Sequence, residues 1–206
     1  MKRREFLQAG IAAIPLIRSV LPGGVLISEA PAVPLYKVIF DERFPVCVAF
    51  AAEARRLGSS VHGIRGDITS VWYNDLYYRW RDSPAAVAGL TTHRSLFCLD
   101  MFARDAGLRL VHYADHRILA GGSVEHEVFG AEAAQQTTRL KQAGTHWSAE
   151  AASQVARLAQ AGLRPVRKTA DPLVAASEPQ PLVSWVIAPV LSPNGKSNNR
   201  MLGRTE

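Results

Sequence analysis

The chain has 206 residues, enough for one domain of ordinary size, and 48% of them are hydrophobic, as is typical of a sequence that buries a core. The net charge is +6, but no run of five or more Lys and Arg residues occurs, which argues against nucleic-acid binding. Two cysteines are too few for a disulfide-dense scaffold.

The first feature along the chain is a motif of paired arginines. Arg3 and Arg4 are adjacent, and Phe6 and Leu7 follow after one intervening residue. This spacing resembles the twin-arginine export signal. The resemblance implies that the twin-arginine translocase carries the protein to the periplasm already folded, so that any cofactor or partner is acquired before the protein crosses the membrane.

The rest of the N-terminal segment fits a cleaved signal. The apolar stretch 9–17 is shorter than the ~20 residues that a membrane-spanning helix needs. A small-x-small motif, Ala30-Pro31-Ala32, is suited to signal cleavage. We expect no stable membrane span in the mature protein, and we divide the chain into the signal (1–32), one α/β domain (33–191) and a flexible polar tail (192–206).

Strands and helices are predicted to alternate over the first half of this domain. Short β-rich runs predict strands, and apolar residues at helical spacing predict the helices between them. Proline and glycine mark several helix ends. The predicted strands cover 36–40, 60–64, 86–90 and 108–113, and the predicted helices run from Pro45 to Gly58, from Ser70 to Trp80 and from Thr92 to Gly107.

The second half is less regular. The glycine pair Gly121-Gly122 predicts a hairpin turn, two helices follow, and a proline-rich connection leads to a last strand. The segments are 116–120 and 124–129 for the hairpin, 131–143 and 148–161 for the helices, 164–181 for the connection and 182–187 for the strand. The alternation predicts an α/β fold: a single three-layer domain with a mostly parallel, Rossmann-like sheet and helices on both faces.

Polar residues follow the predicted strands at their carboxyl ends, where open parallel sheets bind ligands. The ends of the first four strands carry Asp41, Glu42 and Arg43; Arg65, Gly66 and Asp67; Thr91, Thr92 and His93; and Asp115 and His116. We therefore expect a ligand site at this edge of the sheet. Its predicted members are Asp41, Arg43, Arg65, Asp67, Thr91, Thr92 and His93.

The third of these strand ends is the most informative. Residues 89–92 (Gly-Leu-Thr-Thr) precede a helix whose first amides are unpaired and can hold an anion. The alternative is structural: Thr92 caps the helix and Gly89 eases a turn. Residues 89–113 resemble a strand–helix–strand unit in the second lobe of periplasmic solute-binding proteins, in which a Gly-x-Thr-Thr-like loop meets the ligand. The resemblance implies ligand contact at this loop.

Sequence motifs for catalysis, metals and nucleotides are missing. The sequence contains no Gly-x-Ser-x-Gly, phosphate-loop or dinucleotide glycine pattern. His112 and His116 have a spacing that suits metal ligands on a helix, but His112 falls on a predicted strand, so we predict no metal site. Both cysteines, Cys47 and Cys98, fall in apolar helical patterns and are interpreted as buried; whether they pair stays open.

Two functions therefore remain. The preferred hypothesis is a periplasmic protein that binds a small anionic or aromatic ligand or serves an exported enzyme as an accessory subunit. The aromatic segment 72–80 offers an outer face for such a ligand or partner. The alternative is a periplasmic enzyme with acid–base groups at the same edge. Its candidate residues are Asp41, Glu42, Asp67, His93 and His116, with Asp67, His93 and His116 preferred as catalytic groups.

Overall fold

The computed structural model describes residues 35–130, 132–159, 165–166 and 181–190. The predicted signal, the polar tail and most of the proline-rich connection lie outside these ranges. Within them, no helix is long and apolar enough to cross a membrane.

Strands and helices alternate as the sequence predicts, and the fold is α/β. Pro45 occupies the first turn of its helix, and Gly121 and Gly122 both have positive φ in the hairpin turn. The strands are β1 (Leu35–Asp41), β2 (Val61–Ile64), β3 (Ala86–Thr92), β4 (Leu108–Ile118), β5 (Val124–Phe129) and β6 (Leu182–Pro189). The helices are α1 (Pro45–Arg56), α2 (Thr69–Val71), α3 (Tyr77–Asp82), α4 (His93–Asp105), α5 (Ala133–Ala143) and α6 (Trp147–Ala159); a π-helical turn (Trp72–Leu76) joins α2 to α3, and a 3-10 turn (Gly144–His146) precedes α6.

The six strands form one open mixed sheet in the order β2-β1-β3-β6-β4-β5. β1 pairs in parallel with β2 and β3, whereas β6 is antiparallel to β3 and β4, and β5 is antiparallel to β4. The expectation of a mostly parallel sheet is therefore wrong for the second half of the fold. A tight hairpin turn forces β5 to run against β4, and β6 inserts between β3 and β4.

Despite the mixed pairing, the first four strands point the same way. β3 and β4 are both antiparallel to β6, so β4 keeps the direction of β1, β2 and β3. Leu182 of β6 pairs with both Thr92 and His116, which places these two residues at the same level of the sheet. The carboxyl ends of β1 to β4 thus share one edge, called the carboxyl edge below.

Alternate residues of the central strands enter two separate core clusters. Val38 and Phe40 of β1 pack in a cluster with residues of α1, α5 and α6, whereas Ile39 packs in a second cluster with the helical segment 69–82 and α4. Every residue of β3 is buried, which explains its continuous run of small and apolar residues.

Gly89 lies inside β3 and makes room for the indole of Trp185. A Cβ at Gly89 would lie 2.6 Å from Trp185 Cζ2 and would also collide with the carbonyl oxygen of Ile39. The buried indole donates a hydrogen bond from Nε1 to Thr91 Oγ1 at 3.0 Å. Close packing between β3 and β6, rather than an eased turn, is therefore what requires glycine here.

Candidate functional site

Asp41 and Arg43, two of the predicted ligand contacts, bind each other. The Arg43 guanidinium donates from Nε to Asp41 Oδ1 at 2.9 Å and from Nη2 to Oδ2 at 2.6 Å. Asp41 is fully buried, and its hydrogen bonds raise the pKa of Arg43. The guanidinium also covers Gly66, where a Cβ would lie 2.6 Å from Arg43 Nη2. The pair therefore braces the carboxyl edge at the ends of β1 and β2.

Thr91, Thr92 and His93 are buried, because β3 runs directly into α4 without an intervening loop. Thr92 holds the N-cap position of α4, but its hydroxyl contacts Ser95 Oγ at 3.3 Å rather than a backbone amide. Thr91 accepts the indole hydrogen bond of Trp185. The expected threonine loop is thus a strand end whose hydroxyls are occupied within the protein.

Arg65 and Asp67 follow β2 and are exposed. Asp67 Oδ1 accepts hydrogen bonds from the backbone amide of Thr69 at 2.8 Å and from its hydroxyl at 2.6 Å. These bonds lower the pKa of Asp67, since they favour the ionised carboxylate. Asp67 therefore stabilises the start of the helical segment 69–82, and it is a weak base.

A cleft of about 280 Å³ opens at the carboxyl edge between this segment and the first turns of α4. Ser95 and Gly66 both line this cleft, and Ser95 Oγ donates a hydrogen bond to the carbonyl oxygen of Gly66 at 3.2 Å. Asp67 is the only member of the predicted ligand set in the lining. This edge cleft is lined by Gly66, Asp67, Ile68, Thr69, Trp72, Tyr73, Arg94, Ser95, Cys98 and Phe102.

Aromatic side chains form one wall of the edge cleft. Trp72 stacks on Phe102, with ring centroids 4.2 Å apart and planes 13° from parallel, and Tyr73 is 64% exposed. Trp72 and Tyr73 begin the π-helical turn, a wider turn that is frequent at functional sites. The sequence shows this aromatic segment, but the stacking partner Phe102 comes from α4 and follows only from tertiary packing.

The first turn of α4 forms a second wall of the edge cleft. Arg94 and Ser95 lie there, next to backbone amides that have no partner within the helix. The sequence predicts the start of α4 correctly, but the predicted ligand set ends at His93, one residue short of this wall. The rule that the first helical turn faces an anion would have reached Arg94 if it had been applied to side chains as well as to backbone amides.

The two cysteines differ in their surroundings. Cys47 is buried in α1, and burial raises the pKa of its thiol to about 12. Cys98 is exposed, contrary to the expectation of a buried side chain, because its face of α4 lines the edge cleft. Both are free thiols.

His116 lies at the carboxyl edge but is fully buried. Its Nδ1 is 2.8 Å from Nδ1 of His126, and its Nε2 is 2.9 Å from Ser184 Oγ. Burial, together with His126 and His112, holds the pKa of His116 well below its usual range. Among the described residues, no group of three or more His, Cys, Asp or Glu side chains is placed to hold a metal ion.

Comparison with family models, curated proteins and solved structures finds no match to this chain.

Proposed function

We propose that this protein is exported to the periplasm by the twin-arginine translocase and binds a small aromatic anion in the edge cleft. The observation that carries the proposal is the pairing of two walls in one cleft: the Trp72–Phe102 stack with Tyr73 beside it, and the first turn of α4 with Arg94. The volume of about 280 Å³ is at the small end of ligand pockets and suits a single-ring compound.

Each wall favours a different part of such a ligand. A planar ring gains contact area against Tyr73 and Trp72, since aromatic rings prefer stacked or edge-to-face packing. An anionic group gains from the guanidinium of Arg94 and from the partial positive charge at the start of α4. The Asp67 carboxylate disfavours a second negative group at the mouth, so we expect a monoanion.

We also propose that the protein acts as an accessory subunit of an exported enzyme, to which it delivers this ligand or for which it senses it. Folded export supports it, as do the exposed aromatic side chains beside the cleft, of which Tyr78 is 59% exposed. A three-layer arrangement with helices on both faces, which we also propose, is supported by the two core clusters that alternate along β1.

The alternative of a periplasmic enzyme has less support in the geometry. Of its preferred candidates, His93 and His116 are buried and Asp67 is held as an ionised carboxylate by Thr69. A general base needs access to substrate and a pKa near the working pH. We therefore favour binding over catalysis at the edge cleft.

Native mass spectrometry of protein purified from its own periplasm tests the proposal first. We expect an extra mass of small-molecule size; a co-purifying polypeptide would instead favour the accessory role. Calorimetric titration with 4-hydroxybenzoate then tests how much each wall of the edge cleft contributes to the affinity. Arg94→Gln should weaken binding by about tenfold or more and Tyr73→Ala by about threefold to tenfold.

Tyr78→Ala is the matched control, because Tyr78 is as exposed as Tyr73 but does not line the cleft. Its affinity should equal that of the wild type. A bare mass together with no binding of the probe, or equal losses in the Tyr73 and Tyr78 variants, would contradict the assignment of this cleft.

A further inference from the structure

A second, larger cleft lies at the carboxyl edge, beside the core cluster that includes α1, α5 and α6. It opens between the β4–β5 turn and the connection from α5 to α6, and its volume is about 480 Å³. This hairpin cleft is lined by Val46, Ile118, Gly122, Ser123, Val124, His126, Leu140, Lys141, Gly144, Thr145 and Trp147. It shares no lining residue with the edge cleft.

The lining of the hairpin cleft is apolar and cationic. Lys141 and His126 are its only titratable side chains within the described residues, and no carboxylate lines it. Lys141 forms no salt bridge in the described part of the chain. Ile118 is 41% exposed at the rim, and Trp147 is buried at the base. A ligand with an apolar body and one negative charge fits this distribution.

A buried relay fixes the orientation of His126. Its Nδ1 is engaged by His116 Nδ1, and the other nitrogen of His116 reaches Ser184 Oγ. The indole of Trp147 packs against both imidazoles, at centroid distances of 4.5 Å for His116 and 5.3 Å for His126. Nε2 is therefore the nitrogen that His126 has left for a ligand or a proton.

Charged groups reach His126 from several elements. His116 faces it from β4, and the ammonium of Lys141 acts on it from α5. Burial, and then the charge of Lys141, lower the pKa of His126, which favours the neutral imidazole. Ser184 of β6 and Trp147 of α6 are uncharged. Acidic residues lie in a neighbouring, smaller cleft of about 290 Å³ that shares Val124, His126 and Lys141 with the hairpin cleft and is otherwise lined by Asp115, Arg117, Glu125 and Glu127.

These observations favour the hairpin cleft over its acidic neighbour for an anion. We propose that the hairpin cleft binds a small amphiphilic carboxylate, with the carboxylate between Lys141 and His126 Nε2 and the apolar chain against Trp147 and Ile118. Binding takes up one proton from solvent onto Nε2, because the bound negative charge offsets the ammonium of Lys141 and favours the imidazolium. This uptake requires the tautomer in which His126 Nδ1–H donates to His116 Nδ1, so that Nε2 carries no proton before binding; the N–H bond at Nε2 is the one bond that forms.

Titration calorimetry with hexanoate tests this proposal on the full chain. We expect affinity to rise as pH falls from 8 to 5.5, and the heat to depend on the ionisation enthalpy of the buffer because a proton is taken up. Lys141→Gln should weaken binding by about tenfold or more. His126→Gln should retain weaker binding and lose the pH dependence.

Two control variants separate this site from its surroundings. Arg139→Gln removes another exposed cation of α5 that does not line the cleft, and Arg94→Gln alters the edge cleft alone. Both should bind hexanoate like the wild type, so the outcome is independent of the proposed function. No binding at millimolar hexanoate, or equal losses in the Lys141 and Arg139 variants, would overturn the proposal.

A measurement on the wild-type protein covers the case in which His126→Gln does not fold. Long-range ¹H–¹⁵N spectra of the histidine rings report protonation at each nitrogen. We expect hexanoate to move one histidine from the neutral to the imidazolium pattern at pH 6.5, and this response to be lost in Lys141→Gln. Histidine signals that stay unchanged at saturating hexanoate would refute proton uptake.

Discussion

Substitution of Gly89 by alanine tests the packing between β3 and β6. The added methyl group would lie 2.6 Å from Trp185 Cζ2 and 2.8 Å from Cε2, and would meet the carbonyl oxygen of Ile39 on the neighbouring strand. Neither group can move away easily, since the indole is fully buried and the carbonyl belongs to the sheet backbone. Either the indole or β1 must therefore shift.

The loss of folding stability in Gly89→Ala has two sources, the strain of the added methyl group and the hydrogen bond between Trp185 and Thr91. Overpacking of a dense core costs about 1–3 kcal/mol, and displacement of the indole removes its hydrogen bond to Thr91, which contributes about 1 kcal/mol. Alanine also lowers the conformational entropy of the unfolded chain, which stabilises the folded protein by about 0.4–1 kcal/mol and offsets part of this loss. We expect the free energy of unfolding to fall by about 1–3.5 kcal/mol, a decrease in Tm of roughly 2–14 °C.

Urea unfolding followed by circular dichroism measures this difference, with Gly63→Ala as the matched control. A Cβ at Gly63 meets the side chain of Glu42, which is exposed and can swing into solvent, so this change should cost less than about 1 kcal/mol. If both alanine variants unfold at the same urea concentration, the indole does not constrain position 89 and the reasoning is wrong.

Three further predictions concern buried polar groups and thiols. Arg43→Met leaves the buried Asp41 carboxylate without its guanidinium, so urea unfolding should show a loss of about 3 kcal/mol at pH 7, and a loss under 1 kcal/mol would contradict the bracing role. Burial lowers the pKa of His112 to about 4, so at this residue the unfolded chain binds one more proton than the native protein between pH 6.5 and 4. His112 should therefore contribute a loss of stability of about 1.4 kcal/mol for each unit by which the pH falls across that window, and His112→Leu should lower the pH slope of the stability by this amount. A disulfide-exchange reagent should titrate Cys98 alone in the native protein and also Cys47 in urea; two reactive thiols before unfolding would refute the burial of Cys47.

The positions of most helices and strands were predictable, because their signals are local. The exception is β4, one strand (Leu108–Ile118) where the sequence predicted two, 108–113 and 116–120. Pro45 marks the start of α1, and Gly58 and Gly107 follow the ends of α1 and α4 with positive φ, a conformation that glycine adopts without strain. Gly121 and Gly122 mark the hairpin in the same way. Each of these residues acts on its immediate neighbours in the chain, so its effect can be read without knowing what packs against it.

The candidate site was predictable only in its position. The rule for strand ends led to the carboxyl edge, and both clefts lie there. That rule did not show that Asp41 forms an ion pair with Arg43. Nor did it show that Thr91 accepts a hydrogen bond from the indole of Trp185, 94 residues further along the chain. Whether a polar group faces solvent or another side chain depends on partners that are distant in sequence.

The sequence by itself determined the order of strands and helices, the α/β class and the edge at which polar residues gather, since periodicity and turn chemistry act over a few residues. The export signal remains its prediction. Only the tertiary structure decided that β6 enters between β3 and β4, that Phe102 completes the aromatic wall, and that His126 meets His116. These pairings join segments far apart in the chain, and they are selected by burial and backbone hydrogen bonding of the whole sheet, to which no local pattern responds.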